Sequence, residues 1–296
     1  MVGGPAGGLA GRMTTDTHEK NSNDTVLVLG ATGKTGRRVV RRLRAAGVTV
    51  RAASRSGEVR FDWAEPDGWA AALAGARSVY LVTVDEHADA VADFTALAVA
   101  SGVRRFVALS GRGIEHVGAD FGAGMAAAER AVRDSGVEWS VIRPNNFDQN
   151  FDEDLWHQPL RDGRLALPIG AVPEPFVDVD DVAEVAVALL TGDGHSGRTY
   201  ELSGPRGLTF AEAVAVISRA AGRPMDYVEV TGEQYLAGLL ADGLPEHLAK
   251  GLTALFALHR TGVTAEPVDG VRQVLGREPA AFEAYAERAA KEGAWS

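Results

Sequence analysis

Residues 25–37, TVLVLGATGKTGR, run as an apolar strand into Gly30, Gly33 and Gly36 and then directly into a helix-forming segment. That order constrains the fold more than anything else in the chain. A first glycine bends the backbone, a second lets N–H groups approach a pyrophosphate, and a third lets helix and strand pack closely. The contacts to such a ligand are assigned to Gly30, Thr32, Gly33, Lys34, Thr35 and Gly36, with Arg37 one residue beyond. Gly33-Lys34-Thr35 also imitates the end of a P-loop. A P-loop needs another glycine five residues before Gly33, however, and Val28 stands there inside the strand. Val39, Val40 and Leu43 give the helix one apolar face, Gly47 ends it, and 48–53 supply the next strand.

The alternation continues along the chain. Strands are expected over 59–62, 79–84, 105–109 and 138–143, with helices over 66–74, from Asp85 as cap through Val91, Phe94, Leu97 and Ala98, and over 124–135. Short connections of this kind demand right-handed crossovers and a parallel sheet, with ligands beyond the carboxyl ends of the strands. The fold class is therefore α/β, a Rossmann-type doubly wound parallel sheet. Residues 24–150 form the nucleotide-binding core, and 151–296 are a mixed segment that completes the sheet and forms a small, mostly helical lobe. In that segment 145–170 reads as an aromatic loop, 176–179 as a brief strand and 182–190 as a helix, with two or three helices after a last strand at 227–230. Residues 1–23, Gly-rich and then polar, lack the apolar core of a secretory signal and read as a disordered tail.

No cysteine is present, which excludes disulfides, thiolate zinc sites and cysteine nucleophiles and makes the cytoplasm the default location. Redox chemistry must then use a borrowed cofactor. The seven histidines show no HxH or HxxxH spacing, so no metal is expected and scattered surface histidines are the simpler reading. The acids of FVDVDD at 176–181 fit a strand leading into a helix capped by Asp180 or Asp181 better than a cation site. A net charge of −10 disfavours nucleic acid, and Arg37, Arg38, Arg41, Arg42 and Arg44 read as one solvated helix face. With no apolar run of ~18 residues, no membrane partner is expected either. A homodimer is left open.

With the glycine turn, Asp62, Ser110 and the Arg143-Pro144 strand end placed, the chain resembles the NmrA-like branch of the atypical short-chain dehydrogenases/reductases over about residues 25–290. GATGKTG at 30–36, SGVRRFVALSG at 101–111 and SGVEWSVIRPNNFDQNF at 135–151 carry the likeness most specifically. GATGKTG together with VRFDW at 59–63 further looks like the subgroup of ergot-alkaloid-type reductases and actinobacterial secondary-metabolism proteins. The resemblance implies a Rossmann fold, an NAD(P) site and a small C-terminal lobe over the nicotinamide. It also implies Asp62 near the adenine and Val82-Thr83 near the nicotinamide ribose. The same fold hosts working reductases and regulators that bind dinucleotide without turnover.

A 2′-hydroxyl is usually held by an acid at the end of the second strand, whereas a 2′-phosphate needs a cation there. This chain offers Ser54-Arg55-Ser56, and Arg55 helped by Arg37 favours NADP(H) over NAD(H). Short-chain reductases usually protonate a carbonyl oxygen with the Tyr of a Tyr-x-x-x-Lys pair. In the register set by Glu129, Phe121 and Met125 stand at those two places. Losing the acid forfeits a contribution of roughly 10²–10⁴-fold, so simple ketones are disfavoured. Quinones, extended conjugated ketones and iminium ions need less acid help. Ser110 either hydrogen-bonds a substrate oxygen as the one weak catalytic candidate or caps its own loop. Asn145, Asn146 and Asn150 beside Phe147, Phe151 and Trp156 make an aromatic platform with amide donors, or else a packed interlobe segment.

Three functions follow. The first is an NAD(P)H-dependent oxidoreductase acting on a flat aromatic or conjugated small molecule in secondary metabolism. The second is an aromatic-polyketide tailoring protein giving net hydroxylation with oxygen, and the third is a non-catalytic NAD(P)-sensing regulator.

Overall fold

Thr25–Leu29 (β1) is buried on both faces from Val26 onward, so helices must cover it above and below. The computed structural model describes residues 25–116 and 121–296, and the expected tail over 1–23 lies outside the described residues. After β1 come Lys34–Ala45 (α1), Val50–Ser54 (β2), Val59–Arg60 (β3), Trp69–Leu73 (α2), Ala76–Leu81 (β4), Ala90–Ala100 (α3) and Arg105–Leu109 (β5). Ala123–Asp134 (α4), Glu138–Pro144 (β6), His157–Arg161 (α5), Arg164–Leu167 (β7), Val179–Thr191 (α6) and Arg198–Leu202 (β8) follow. Phe210–Ala221 (α7), Asp226–Glu229 (β9), Gly232–Ala241 (α8), Glu246–His259 (α9), Gly270–Leu275 (α10) and Phe282–Lys291 (α11) end the chain.

Among the described residues, seven strands form one parallel sheet in the order β3-β2-β1-β4-β5-β6-β8. This is the doubly wound arrangement, and the strand order reverses between β1 and β4. One face packs Phe61, Trp63, Trp69 and Phe94 with the apolar residues of α2, α3 and α4. The other packs Val39, Val40 and Leu43 of α1 against Val182, Val185 and Leu189 of α6. A third core lies in the second lobe, around Phe151, Trp156, Phe176, Phe210 and Phe282.

Several expectations need correction. The stretch 145–170 holds α5 and β7, and β7 pairs in parallel with β9 in a separate two-stranded sheet. Its pattern was hidden because its aromatics fill the lobe's core instead of marking one face. Of 176–179 only the bridge between Phe147 and Val177 is strand-like, and α6 begins at Val179 with Asp178 as its cap, accepting from the Asp180 N–H at 2.9 Å. Asp85 caps no helix of its own; it accepts from the N–H groups of Gly122 and Gly124 at 2.7 and 2.9 Å, closing the start of α4 from across the sheet. Four helices, not two or three, follow β9.

The arginine face of α1 is paired as well as solvated: Arg37, Arg41 and Arg44 are exposed, Arg38 and Arg42 half-buried. Arg38, Arg41 and Arg42 all reach Asp180, Arg42 also reaches Glu184, and Arg38 holds Glu153 at 2.7 Å. The reason lies in α6, whose acidic first turn is brought alongside by the apolar contact beneath it.

Asp148, in the turn after β6, is fully buried and neither carboxyl oxygen has a hydrogen-bond partner among the described residues. Burial first, and then the charges of Asp178 and Asp181, push its carboxyl well above the usual range. Asp152 nearby, which accepts from the Tyr285 hydroxyl, is pushed from 3.8 to about 6, again mainly by burial. Raised acids contribute stability that is fully present below their unfolded value and lost as pH rises through the folded one. For Asp152 that window is 3.8 to about 6. Asp148→Asn is expected to raise the melting temperature, with a gain equivalent to roughly 1–3 kcal/mol at pH 8 that vanishes near pH 4. Thermal melts at both pH values check this, and equal shifts would contradict the buried-acid account.

Candidate functional site

At the point where the strand order reverses, a groove of about 550 Å³ is lined by Gly30, Thr32 and Gly33, by Ser54, Arg55 and Ser56 after β2, by Asp62, and by Val82 after β4. Gly30 has φ +63°, a left-handed conformation that bends the chain away from β1. Gly33 is extended and directly precedes α1. The first N–H groups of that helix therefore face the groove with no side-chain cap. Gly36 is the packing glycine: a Cβ there would stand 2.1 Å from the Gly30 carbonyl oxygen. Two buried hydroxyls beside the groove, Ser54 Oγ and Thr83 Oγ1, have no hydrogen-bond partner among the described residues. Uncapped amides, orphaned hydroxyls and a glycine-lined wall together fit a phosphate-bearing nucleotide.

Asp62 is set by the aromatic cluster beneath it, where the Trp69 indole donates to the Asp62 carbonyl oxygen at 3.0 Å and that of Trp63 donates to the Val82 carbonyl oxygen at 3.3 Å. Arg55 is exposed on the rim and forms no ion pair among the described residues. Arg37 does not assist it. Its guanidinium pairs with Glu153 on the far side of the turn, because α1 carries residue 37 toward the second lobe. Thr35 is buried beneath the turn beside Tyr80, so only its backbone is available to a ligand. Lys34 also leaves the groove: its ammonium bonds Asn150 Oδ1 at 2.6 Å and Asp154, and lies 5.6 Å from the Phe147 ring centroid.

Lys34 thereby lines a second cavity, a cleft of about 300 Å³ between the lobes. Ser110, Phe121, Met125, Asn145, Asn146, Phe147, Asn150 and Trp156 border it together with Leu252, Leu255, Phe256 and His259 of α9 and Tyr235 of α8. Phe151 is a correction: it is completely buried in the lobe core, in ring contact with Trp156, Phe176 and Phe282. An aromatic that far inside the lobe supports the platform from behind and touches no ligand.

Ser110 is also recast. Its hydroxyl donates to Glu129 Oε1 at 2.6 Å, and Glu129 is clamped by Arg143 at 2.7 and 2.8 Å and by Arg133. Burial opposes ionisation of Glu129, but the Arg143 guanidinium and the Ser110 hydroxyl together hold its carboxyl below the ordinary value. The serine proton is committed to a carboxylate, which leaves only an acceptor facing the cleft. Asn145 is likewise spent, donating to Glu174 and to the Thr264 carbonyl oxygen and accepting from Arg112. None of the five tyrosines is followed four residues on by lysine. Phe121 and Met125 occupy the cleft wall beside Ser110.

The wall formed by α8 and α9 lies outside the residues that the sequence reading singles out, and His259 is one of the histidines it leaves scattered on the surface. A signal existed. Leu252, Leu255, Phe256 and His259 recur at i, i+3, i+4 and i+7, one stripe of a helix that ends in an imidazole.

Residues 22–286 match the NmrA-like family. The chain is 34% identical to an NAD(P)H azoreductase of Xenophilus azovorans over 88% of its own length and 96% of the relative's. It is 35% identical to the (4-alkanoyl-5-oxo-2,5-dihydrofuran-3-yl)methyl phosphate reductase of Streptomyces griseus, over 87% and 95%. Among solved structures it is similar in fold to the triphenylmethane reductase of Citrobacter sp. complexed with NADP(H), with a TM-score of 0.73, 20% identity and coverage of 90% and 99%.

The turn can be dissected by two substitutions. Gly33→Val adds a side chain where the backbone must meet a phosphate, and its Cβ would lie no closer than 3.2 Å to the Gly30 carbonyl oxygen. It is expected to abolish nucleotide binding in a calorimetric titration with a melting temperature close to that of the parent. Gly36→Ala forces helix off strand and is expected to cost roughly 1–3 kcal/mol of stability as well as binding.

Proposed function

The chain belongs to the NmrA-like family, and from that premise we propose that it is an NAD(P)H-dependent reductase of a flat conjugated small molecule, with NADPH preferred. The observation that carries the reading is the pairing of two cavities across Lys34: a glycine-walled groove with uncapped helix amides, and an aromatic cleft whose tyrosine-lysine pair is absent. The bound nicotinamide would supply the hydride. The chain's own part is to hold and orient.

The α1 amides and Gly33 take the pyrophosphate, Asp62 lies toward the adenine, and Val82 and Thr83 lie toward the ribose of the nicotinamide. Arg55, unpaired on the rim with Ser54 and Ser56, supplies the cation that a 2′-phosphate requires. In the cleft Phe147, Trp156 and Phe121 sandwich a planar acceptor, and the ammonium of Lys34, pinned by Asn150 and Asp154 over Phe147, marks the junction with the groove. An azo or enone acceptor of the kind named by the two relatives delocalises incoming charge, which suits a site with no strong acid on the sheet side. Secondary metabolism is the setting this chemistry fits.

NADPH oxidation followed against a quinone, an azo dye and a cyclic iminium is expected to proceed with at least one of them. No turnover by a protein that binds NADPH would favour a sensing role, and stoichiometric oxygen uptake would favour hydroxylation. Arg55→Asp is expected to weaken NADPH by roughly 10–100-fold while leaving NADH nearly unchanged, measured as KM or Kd. Equal losses for both would remove the 2′-phosphate assignment.

A further inference from the structure

Building on the reductase reading, we propose that His259 is the hydrogen-bond donor to the acceptor's carbonyl oxygen or equivalent nitrogen, with Asn146 as its positioning residue. His259 ends α9, is 7% exposed, and borders the cleft. Asn146 Nδ2 lies 3.4 Å from His259 Nδ1. An amide nitrogen only donates, so Nδ1 accepts and the ring proton resides on Nε2. Phe256 packs edge-on against the imidazole with centroids 6.3 Å apart, which fixes the ring plane. Nε2 has no protein partner among the described residues and is not sealed from solvent, and the ring that carries it borders the cleft.

Three other donors that border the cleft are already engaged, while the Trp156 indole N–H and Asn150 Nδ2 have no partner among the described residues. Lys34 is held by Asn150 and Asp154, Arg112 by Asn145 and the carbonyl oxygens of Thr264 and Glu266, and Ser110 by Glu129. A hydroxyl competitor is Tyr235, whose phenol is kept protonated by burial, its pKa pushed up to about 12. Tyr235 also packs edge-on against Phe256, with centroids 5.3 Å apart, but it rides on α8, a helix with no buried residue, and its hydroxyl has no hydrogen-bond partner among the described residues, whereas His259 is held by an amide as well as a ring. A donor preset toward developing charge stabilises it without reorganisation, and that favours the histidine.

The balance of the step is simple. As hydride adds to a carbon of the conjugated system, a π pair moves onto the terminal oxygen, and the Nε2–H bond meets that pair without breaking. The proton that completes the reduced product comes from water, and the imidazole ends the cycle unchanged.

The test uses the full chain without nucleotide and 9,10-anthraquinone-2-sulfonate as the probe, followed by quenching of tryptophan fluorescence. His259→Phe keeps the packing and removes the donor. It is expected to raise the probe's Kd about tenfold, whereas His259→Gln stays within roughly threefold of the parent and Tyr235→Phe within roughly twofold. Nitrogen-15 NMR of labelled histidine is expected to report the Nε2–H tautomer for His259 and a mixture of tautomers in Asn146→Ala, an arm that still decides the matter if the Phe variant fails to fold. Unchanged probe binding in His259→Phe, a loss confined to Tyr235→Phe, or an Nδ1–H tautomer would each overturn the assignment. None of these arms needs turnover. A protein inert toward every acceptor would therefore sink the reductase reading while the role of His259 is judged separately.

Discussion

Seating α1 on the end of β1 is the contact on which the rest of the molecule depends. With 2.1 Å between a would-be Gly36 Cβ and the Gly30 carbonyl oxygen, nothing larger than hydrogen permits the approach. That closeness aims the uncapped amides of α1 at the groove where the strand order reverses, and it sets the direction in which every later residue of the helix points. Lys34 and Arg37 emerge on the side of the second lobe, and Arg38 and Arg42 lie across the acidic start of α6. Arg38, only 12% exposed at its side chain, belongs to a partly buried network that salt screens less than it would a surface pair.

The segment from Asn145 to Trp156 then joins the two halves. Nearly every polar side chain in it is occupied: Asn145 by Glu174, Asn146 by His259, Asn150 and Asp154 by Lys34, and Glu153 by Arg37 and Arg38. Its aromatics divide the work by depth. Phe147 faces Lys34 at the cleft, Trp156 spans cleft and core, and Phe151 closes the interior. In the proposed reduction this one segment keeps groove and acceptor site in register, because it touches α1, α9 and the lobe core together.

Local features were legible wherever local chemistry decides them. Parallel strands buried on both faces, glycines that must bend or pack, and the capping box at Thr209 and Glu212 all carry their cause within a few residues of themselves. Side-chain direction was not so legible. Arg37 and Arg55 look alike as cations near the glycine turn, yet one is neutralised by Glu153, 116 residues away in sequence, and the other is left on the groove rim. Ser110 and Glu129 are equally distant in this sense, since only the packing of α4 on the sheet turns the serine from donor to acceptor.

By itself, then, the order of residues determined the doubly wound sheet, the glycine turn at its switch point and the lack of a Tyr-x-x-x-Lys motif, because periodicity, glycine sterics and residue identity act at short range. Tertiary structure alone decided which polar groups remain free. A hydrogen bond between Asn146 and His259 requires the turn after β6 to meet the end of α9, and no local pattern encodes that meeting. The physical reason is that a donor's availability is a property of everything packed around it, and burial settles that only once the whole chain has folded.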